Sequence, residues 1–177
     1  VVPHDAMQAL ANAVKKHCAA FKLEVPTVSI EPGRAIVGPT MFTLYEVGTV
    51  KVVTLENGTH RRYISVDGGM SDNIRPSLYG AEYTTILANR TSSAAHTSSR
   101  LVGKHCETGD IIIREIDLPE DIVPGDLLAV PATGAYGRSM ASNYNHVPRP
   151  SVVAVKDGKA RVIVRRESIE DLLALDI

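Results

Sequence analysis

The stretch Met41-Phe42-Thr43-Leu44-Tyr45-Glu46-Val47-Gly48-Thr49-Val50-Lys51-Val52-Val53-Thr54-Leu55 is rich in β-branched and aromatic residues. Glu56-Asn57-Gly58-Thr59 follows, then Arg62-Tyr63-Ile64-Ser65-Val66, and the run stops at Asp67-Gly68-Gly69. β-Branched and aromatic side chains fit a pleated surface, and Asn-Gly supplies the backbone conformation of a tight hairpin turn. The spacing predicts two strands joined at Asn57-Gly58. Beyond them, strands are expected at Tyr83–Ala88, Ser99–Val102, Ile111–Ile113, Leu127–Pro131, Val152–Lys156 and Arg161–Arg165. Pro124-Gly125-Asp126 and Lys156-Asp157-Gly158-Lys159 mark turns, and the Ser/Thr-rich stretch Asn89–Ser99 reads as a connecting loop. Many short strands at this spacing predict a β-sandwich or β-barrel. Ser168 and Asp171 form a capping-box-like start to a closing helix over Ser168–Leu175. There is no internal repeat.

Toward the N-terminus the pattern changes. Met7, Leu10, Ala11, Val14, Cys18 and Phe21 recur at threes and fours, which predicts an amphipathic helix from Asp5 to about Phe21. Asp5 is its expected cap, Lys15, Lys16 and His17 suit its C-terminal half, and Cys18 falls on the core face. Val28-Ser29-Ile30-Glu31 reads as a short strand ended by Pro32-Gly33. Helix, short apolar strand and polar tip form the rhythm of a βα-barrel, whose chemistry sits at the C-terminal ends of its strands. Arg34-Ala35-Ile36-Val37 opens a short helix whose free N–H groups suit a phosphate. The alternative is a Glu31–Arg34 ion pair around a plain turn. The expected fold class is therefore mainly β (α+β), with residues 1–39 as the end of a βα-barrel and residues 40–177 as a β-domain. The chain starts Val1-Val2-Pro3 and is in an element by residue 5, as a piece of a longer protein would be.

Of 177 residues, 44% are hydrophobic and 22% charged, which suits a globular domain with a real core. A formal net charge of −1 gives no electrostatic footprint for nucleic acid. No apolar run is long enough to span a bilayer, and no signal-peptide pattern is present. Two cysteines in a chain this size, Cys18 and Cys106, read as reduced, so the expected location is cytoplasmic. The six His form no HExxH pair, so no metal site is expected.

Four stretches carry candidate chemistry. Gly103-Lys104-His105-Cys106-Glu107-Thr108-Gly109-Asp110 places a thiol beside a carboxylate between glycines, ahead of the apolar Ile111-Ile112-Ile113. Lys104 and His105 favour the thiolate and Glu107 opposes it. The plain alternative is a solvated turn with an ordinary small thiol. Arg75-Pro76-Ser77-Leu78-Tyr79 offers a planar guanidinium fork for a carboxylate and a phenol donor in one turn-like segment. Gly134-Ala135-Tyr136-Gly137 lets a phenol project from tight backbone, or simply covers the core. Glu31-Pro32-Gly33-Arg34 is the fourth.

Together with Asp67-Gly68-Gly69-Met70 and Met140-Ala141-Ser142-Asn143-Tyr144-Asn145, these stretches resemble the C-terminal part of diaminopimelate decarboxylases, fold-type III enzymes that use pyridoxal 5'-phosphate. The order and joint presence of the motifs carry the resemblance, which covers essentially the whole chain. Thr108 stands where Ser is most frequent, and it keeps the hydroxyl. The resemblance implies a C-terminal β-barrel or sandwich domain preceded by the last β/α piece of a barrel. It implies that Glu31, Pro32, Gly33 and Arg34 help hold the cofactor phosphate, and that Arg34, Arg75 and Tyr79 bind the distal carboxylate of meso-diaminopimelate. It implies a homodimer in which Cys106 and Glu107 enter the partner's site, Cys106 as proton donor and Glu107 as acceptor of the distal ammonium. It implies that Tyr136 lies between cofactor phosphate and substrate. The chemistry is consistent with these roles, because a second Arg would repel the purely cationic distal end of ornithine or arginine. The Schiff-base lysine, the cofactor-stacking His and the Gly-rich phosphate loop of such enzymes belong upstream of these residues, so the piece alone is expected to be inactive. Alternatives are a related decarboxylase of another amino acid or a carboxylated polyamine, and a non-catalytic dimerisation or regulatory β-domain. An alanine racemase needs a Tyr base, and a Cys-Glu loop is not its pattern.

Overall fold

The computed structural model describes residues 3–177, with side chains from residue 4 onward. Its sheet is built around one long strand, β1 (Phe42–Thr54), joined through the Asn57-Gly58 turn to β2 (His60–Val66). β1 pairs antiparallel with β6 (Leu127–Pro131) over Phe42–Glu46 and with β2 from Val47 onward. The register shifts between Val47 and Val50, at the point where β1 changes partner. A bulge there bends the strand and raises its twist, so the sheet curls. β3 (Ile86–Leu87) adds to β6, and β4 (His96–Val102) and β5 (Ile111–Pro119) complete the order β3-β6-β1-β2-β4-β5. A separate two-stranded hairpin pairs β7 (Val152–Lys156) with β8 (Lys159–Val164). This is a mixed α+β domain around a curling six-stranded half-barrel.

Burial alternates with period two on β1, β2 and β4, whereas neighbours are buried together on β5 and β6. Tyr45 and Val47 on β1, Ile64 and Val66 on β2, Leu101 on β4, Ile112, Ile113 and Leu118 on β5, and Leu128 and Val130 on β6 meet in one core. Arg62 also points inward. Its Nε donates to Ser99 Oγ at 3.0 Å, and Nη2 donates to the Leu118 and Pro119 carbonyls at 3.0 and 2.8 Å. Burial lowers its pKa, and these acceptors offset the cost of a cation in the core.

Strand direction decides where the functional loops lie. β2 and β4 are parallel, while β1 opposes both β2 and β6. So β2, β4 and β6 all exit at one end of the sheet, and β1 enters there. Residues 31–41, 67–79, 103–110 and 132–144 are brought to this end.

The structure corrects several expectations. Val28–Glu31 forms no strand, since a strand exists only with a ladder partner and the described residues supply none. The helix α1 (Pro3–Ala20) places Asp5 in its first turn rather than at the cap. Cys18 is not in the core, which draws no residue from α1, and Phe21 is 72% exposed. An apolar helix stripe needs a second layer, and the sheet does not provide it. The strand expected at Tyr83–Ala88 shrinks to Ile86–Leu87, and β4 begins inside the expected Asn89–Ser99 loop. The short helix expected at Arg34–Val37 is α2 (Gly33–Val37). Arg75–Tyr79 is a helical turn, α3, and α4 (Gly137–Met140) lies where no helix was expected. The closing helix α5 (Ile169–Leu173) keeps its Ser168–Asp171 capping box.

Charge clamps fasten the periphery. Arg90 pairs with Asp121 and Asp126, tying the loop before β4 to the β5–β6 connection. Glu167 accepts from Arg149 N at 2.8 Å, Arg149 Nη1 at 2.7 Å and Asn143 Nδ2 at 2.6 Å. These donors, the Arg149 backbone N–H first, hold the Glu167 carboxyl down at about 2. A carboxyl depressed in the fold stabilises above its ordinary value and loses that contribution as pH falls toward the folded value. Glu167→Gln is therefore expected to lower Tm at neutral pH and to flatten its decline between about pH 4.5 and about pH 2. An acid limb that overlays the parent's would remove Glu167 from the clamp.

Candidate functional site

Two arginines from distant parts of the chain share one cavity at the loop-bearing end of the sheet. It measures about 370 Å³ and is lined by Arg34, Arg75, Tyr79, Tyr136 and Met140. A neighbouring cavity of about 450 Å³ shares both arginines. α3 places Arg75 and Tyr79 one turn apart on one helix face. Gly80, at φ 62°, ends the helix in the left-handed conformation, and its N–H donates to the Pro76 carbonyl at 3.1 Å. The Arg75 guanidinium carbon lies 5.6 Å from the Tyr79 ring centroid and 5.4 Å from that of Tyr136. Both are cation–π distances. Arg75 Nε donates to Tyr83 Oη at 3.2 Å. Among the described residues neither Arg34 nor Arg75 makes an ion pair. Two such cations on phenol-rich walls make a site for an anion.

Tyr136 caps α4 at φ 68°, a conformation costly for a side chain with a Cβ. The glycine before it has a different reason from the one expected. An added Cβ at Gly134 would overlap the Val37 carbonyl. Gly134 N donates to Gly38 O and Thr133 N to Met41 O, both at 3.1 Å. The β6 exit thus lies directly on the segment that carries Arg34. α2 starts at Gly33 without a side-chain cap or an acid in its first turn, although Gly33 N itself donates to Glu31 O at 2.9 Å. The start of α2, Arg34 and the Tyr136 phenol fit a phosphate-bearing group.

The Cys106 loop is held from inside by Asp110. This buried carboxylate accepts from Met70 N at 2.7 Å and from His105 N at 2.8 Å. It sits against Gly69 and Gly103, where any Cβ would overlap it. Gly68 O accepts from Lys104 N at 3.0 Å. Nearby, Tyr45 donates to Asp72, which also accepts from Gly69 N at 2.7 Å. Burial pushes the Asp72 carboxyl up, against the pull of these two donors. The Cys106 and Glu107 side chains are exposed at the loop tip. The buried His105 ring contacts Ser71 Oγ at 2.9 Å and stands edge-on to Tyr144, whose hydroxyl donates to Glu107 Oε2 at 2.9 Å.

Residues 34–134 match the family model described as pyridoxal-dependent decarboxylase, C-terminal sheet domain. The chain belongs to this family. It is 56% identical over 168 residues to the diaminopimelate decarboxylase of Mycobacterium tuberculosis, covering 95% of this chain and 38% of that protein. It is 53% identical over 176 residues to that of Corynebacterium efficiens, covering 99% and 38%. The crystal structure of diaminopimelate decarboxylase from M. jannaschii in complex with L-lysine superposes with TM-score 0.80 at 32% identity, covering 95% of this chain and 37% of that one. The chain thus spans a little over a third of the length of these relatives.

Within this sheet domain, Arg34, Arg75, Tyr79 and Tyr136 meet as a group. Glu31, Pro32 and Gly33 lead into α2 beside them. Cys106 and Glu107 do not line that cavity. Sequence reasoning missed Tyr83, Asp110 as an internal anchor, and Tyr144 as the partner of Glu107. Asp110 follows the second glycine of the loop and Tyr144 stands in the Met140–Asn145 motif, but neither position reveals its contact. Asp110→Ala would orphan the buried His105 N–H, at about 1–3 kcal/mol, and the part-buried Met70 N–H beside it. Limited trypsinolysis is expected to cut the variant faster after Lys104, and unchanged cleavage would show that the loop does not depend on Asp110.

Proposed function

We propose that the chain is the C-terminal segment of a pyridoxal 5'-phosphate-dependent diaminopimelate decarboxylase, converting meso-2,6-diaminopimelate to L-lysine and CO2. The observation that carries this is the pair of unneutralised guanidiniums, Arg34 and Arg75, in one phenol-walled cavity. Relatives bearing that enzyme's name at above 50% identity support it. In this reading residues 1–39 are the end of the cofactor-binding barrel and residues 40–177 the β-domain. The bound cofactor supplies an electron sink for the bond that breaks as CO2 leaves.

The chain's own residues bind, orient and deliver a proton. Glu31, Pro32, Gly33 and Arg34 meet the phosphate at the start of α2, with the Tyr136 phenol between phosphate and substrate. Arg75 and Arg34, with Tyr79, grip the distal carboxylate. The aromatic rings hold the Arg75 fork in place without cancelling its charge. Cys106 and Glu107, outside this cavity in their own chain, serve the site of the second subunit in a homodimer. Glu107 receives the distal ammonium. The Cys106 thiol gives its proton to the carbon that has lost CO2, a step worth about 10²–10⁴-fold from a positioned donor, and regains one from water.

The test is CO2 release by the complete enzyme, with cofactor, from meso-diaminopimelate beside ornithine, arginine and lysine. Release from diaminopimelate alone is expected, and these 177 residues by themselves should release none. Preference for another amino acid would move the chain to a related decarboxylase of the same fold. Cys106→Ser is expected to cut kcat by about 10²-fold or more while cofactor absorbance persists. Arg75→Ala should raise KM for diaminopimelate far more than it weakens binding of lysine, which lacks the distal carboxylate. Equal losses would break the carboxylate assignment.

A further inference from the structure

Tyr144 donates to Glu107 Oε2 at 2.9 Å across a wide gap in sequence. Nothing about the phenol's position is casual. Its ring stands edge-on to His105 at 5.4 Å between centroids, and His105 is itself buried and in contact with Ser71. The backbone on either side of Tyr144 is clamped, because Asn143 Nδ2 and Arg149 Nη1 both donate to Glu167, and Arg149 Nε donates to Ala141 O at 3.1 Å. A short helical turn, Tyr144–His146, holds the residue between these anchors, with Asn145 at φ 54°.

We propose that Tyr144 is a positioning residue that orients the Glu107 carboxylate for the distal ammonium of the substrate. This rests on the reading of Glu107 given above. A carboxylate on an exposed loop tip rotates freely unless one oxygen is held. A lysine or arginine could hold it but would neutralise the charge that the ammonium needs. A phenol fixes Oε2 as a neutral donor and leaves Oε1 and the full negative charge for the ligand. The neighbouring carboxylate raises the Tyr144 pKa through the hydrogen bond itself, so the phenol keeps its proton across the working range. The same phenol does not line the arginine cavity, so it acts on the distal ammonium and not on the carboxylate borne by the same carbon.

The experiment compares two substrates in the complete, cofactor-loaded enzyme. One is meso-diaminopimelate. The other is 2-aminopimelate, which keeps both carboxylates and the reacting amine but lacks the distal amine. Tyr144→Phe keeps the ring against His105 and removes only the hydroxyl. KM for diaminopimelate is expected to rise about tenfold with kcat within about twofold, while kcat/KM for 2-aminopimelate stays unchanged. In a Glu107→Gln background the further loss from Tyr144→Phe should vanish, since the two residues act through one contact. Equal losses on both substrates, no loss on either, or an undiminished effect in the Glu107→Gln background would overturn the proposal. Glu107→Gln alone separates the two readings. If it fails to discriminate between the substrates, the ammonium role of Glu107 falls and this inference with it. If it discriminates and Tyr144→Phe does not, only the positioning role falls.

Discussion

The Asp110 carboxylate is the constraint on which the functional end of this domain depends. β2 and β4 leave the sheet side by side because they are parallel neighbours. Lys104 N, donating to Gly68 O, and the His105–Ser71 contact already link their exit loops. Asp110 fastens them from inside by accepting a backbone N–H from each, Met70 on one side and His105 on the other. The space it occupies exists only because Gly69 and Gly103 lack side chains. A buried carboxylate without these donors would be expensive. With them, it fixes the base of the Cys106-Glu107 tip and the start of the stretch leading to Arg75. Ser77 adds a further tie, its hydroxyl donating to Gly109 O at 2.6 Å.

Charges in the molecule fall into two populations. Arg90, Arg149 and Arg165 are each matched to a carboxylate, and Asp121, Asp126, Glu167 and Asp171 are pulled below their ordinary range by those partners. These pairs are complete and have nothing left for a ligand. At the loop-bearing end the pattern reverses. Arg75 is held by Tyr79, Tyr136 and Tyr83, and Glu107 by Tyr144. Phenols orient a charge without cancelling it. Tyr79, Tyr136, Tyr83 and Tyr144 thus leave Arg75 and Glu107 without a counter-charge, whereas the Tyr45–Asp72 contact lies inside the fold.

Local chemistry made much of the fold legible in the sequence. Asn57-Gly58 and Asp157-Gly158 fixed two hairpins because tight turns demand the backbone conformations those residues tolerate. The Ser168–Asp171 box fixed the last helix through contacts three residues apart. Val28–Glu31 misled because its β-branched pattern says nothing about a ladder partner. The parallel β2–β4 pairing, the inward Arg62 and the Glu107–Tyr144 contact were hidden for a related reason. Each depends on which strands exit together, and no local period encodes that. Of the site, Arg34, Arg75, Tyr79 and Tyr136 were legible as residue types in motifs; that they meet was implied by the family resemblance and by no local pattern.

That meeting has a structural cause apart from any motif. Arg34 lies before the sheet begins and Arg75 lies two strands later. What sets their separation is the contact of Gly134 on Val37 and Gly38, reinforced where Thr43 Oγ1 donates to Thr133 Oγ1 at 3.0 Å. The β6 exit then continues from Gly134 into Tyr136, which stacks on Arg75. One short backbone segment thus touches the Arg34 side and the Arg75 side within three residues. A link of that length fixes the spacing between the two arginines. It also explains why Tyr136 is kept in a costly left-handed conformation. In an ordinary helical or extended conformation its ring would leave Arg75, and the link between the two arginines would lose its aromatic end.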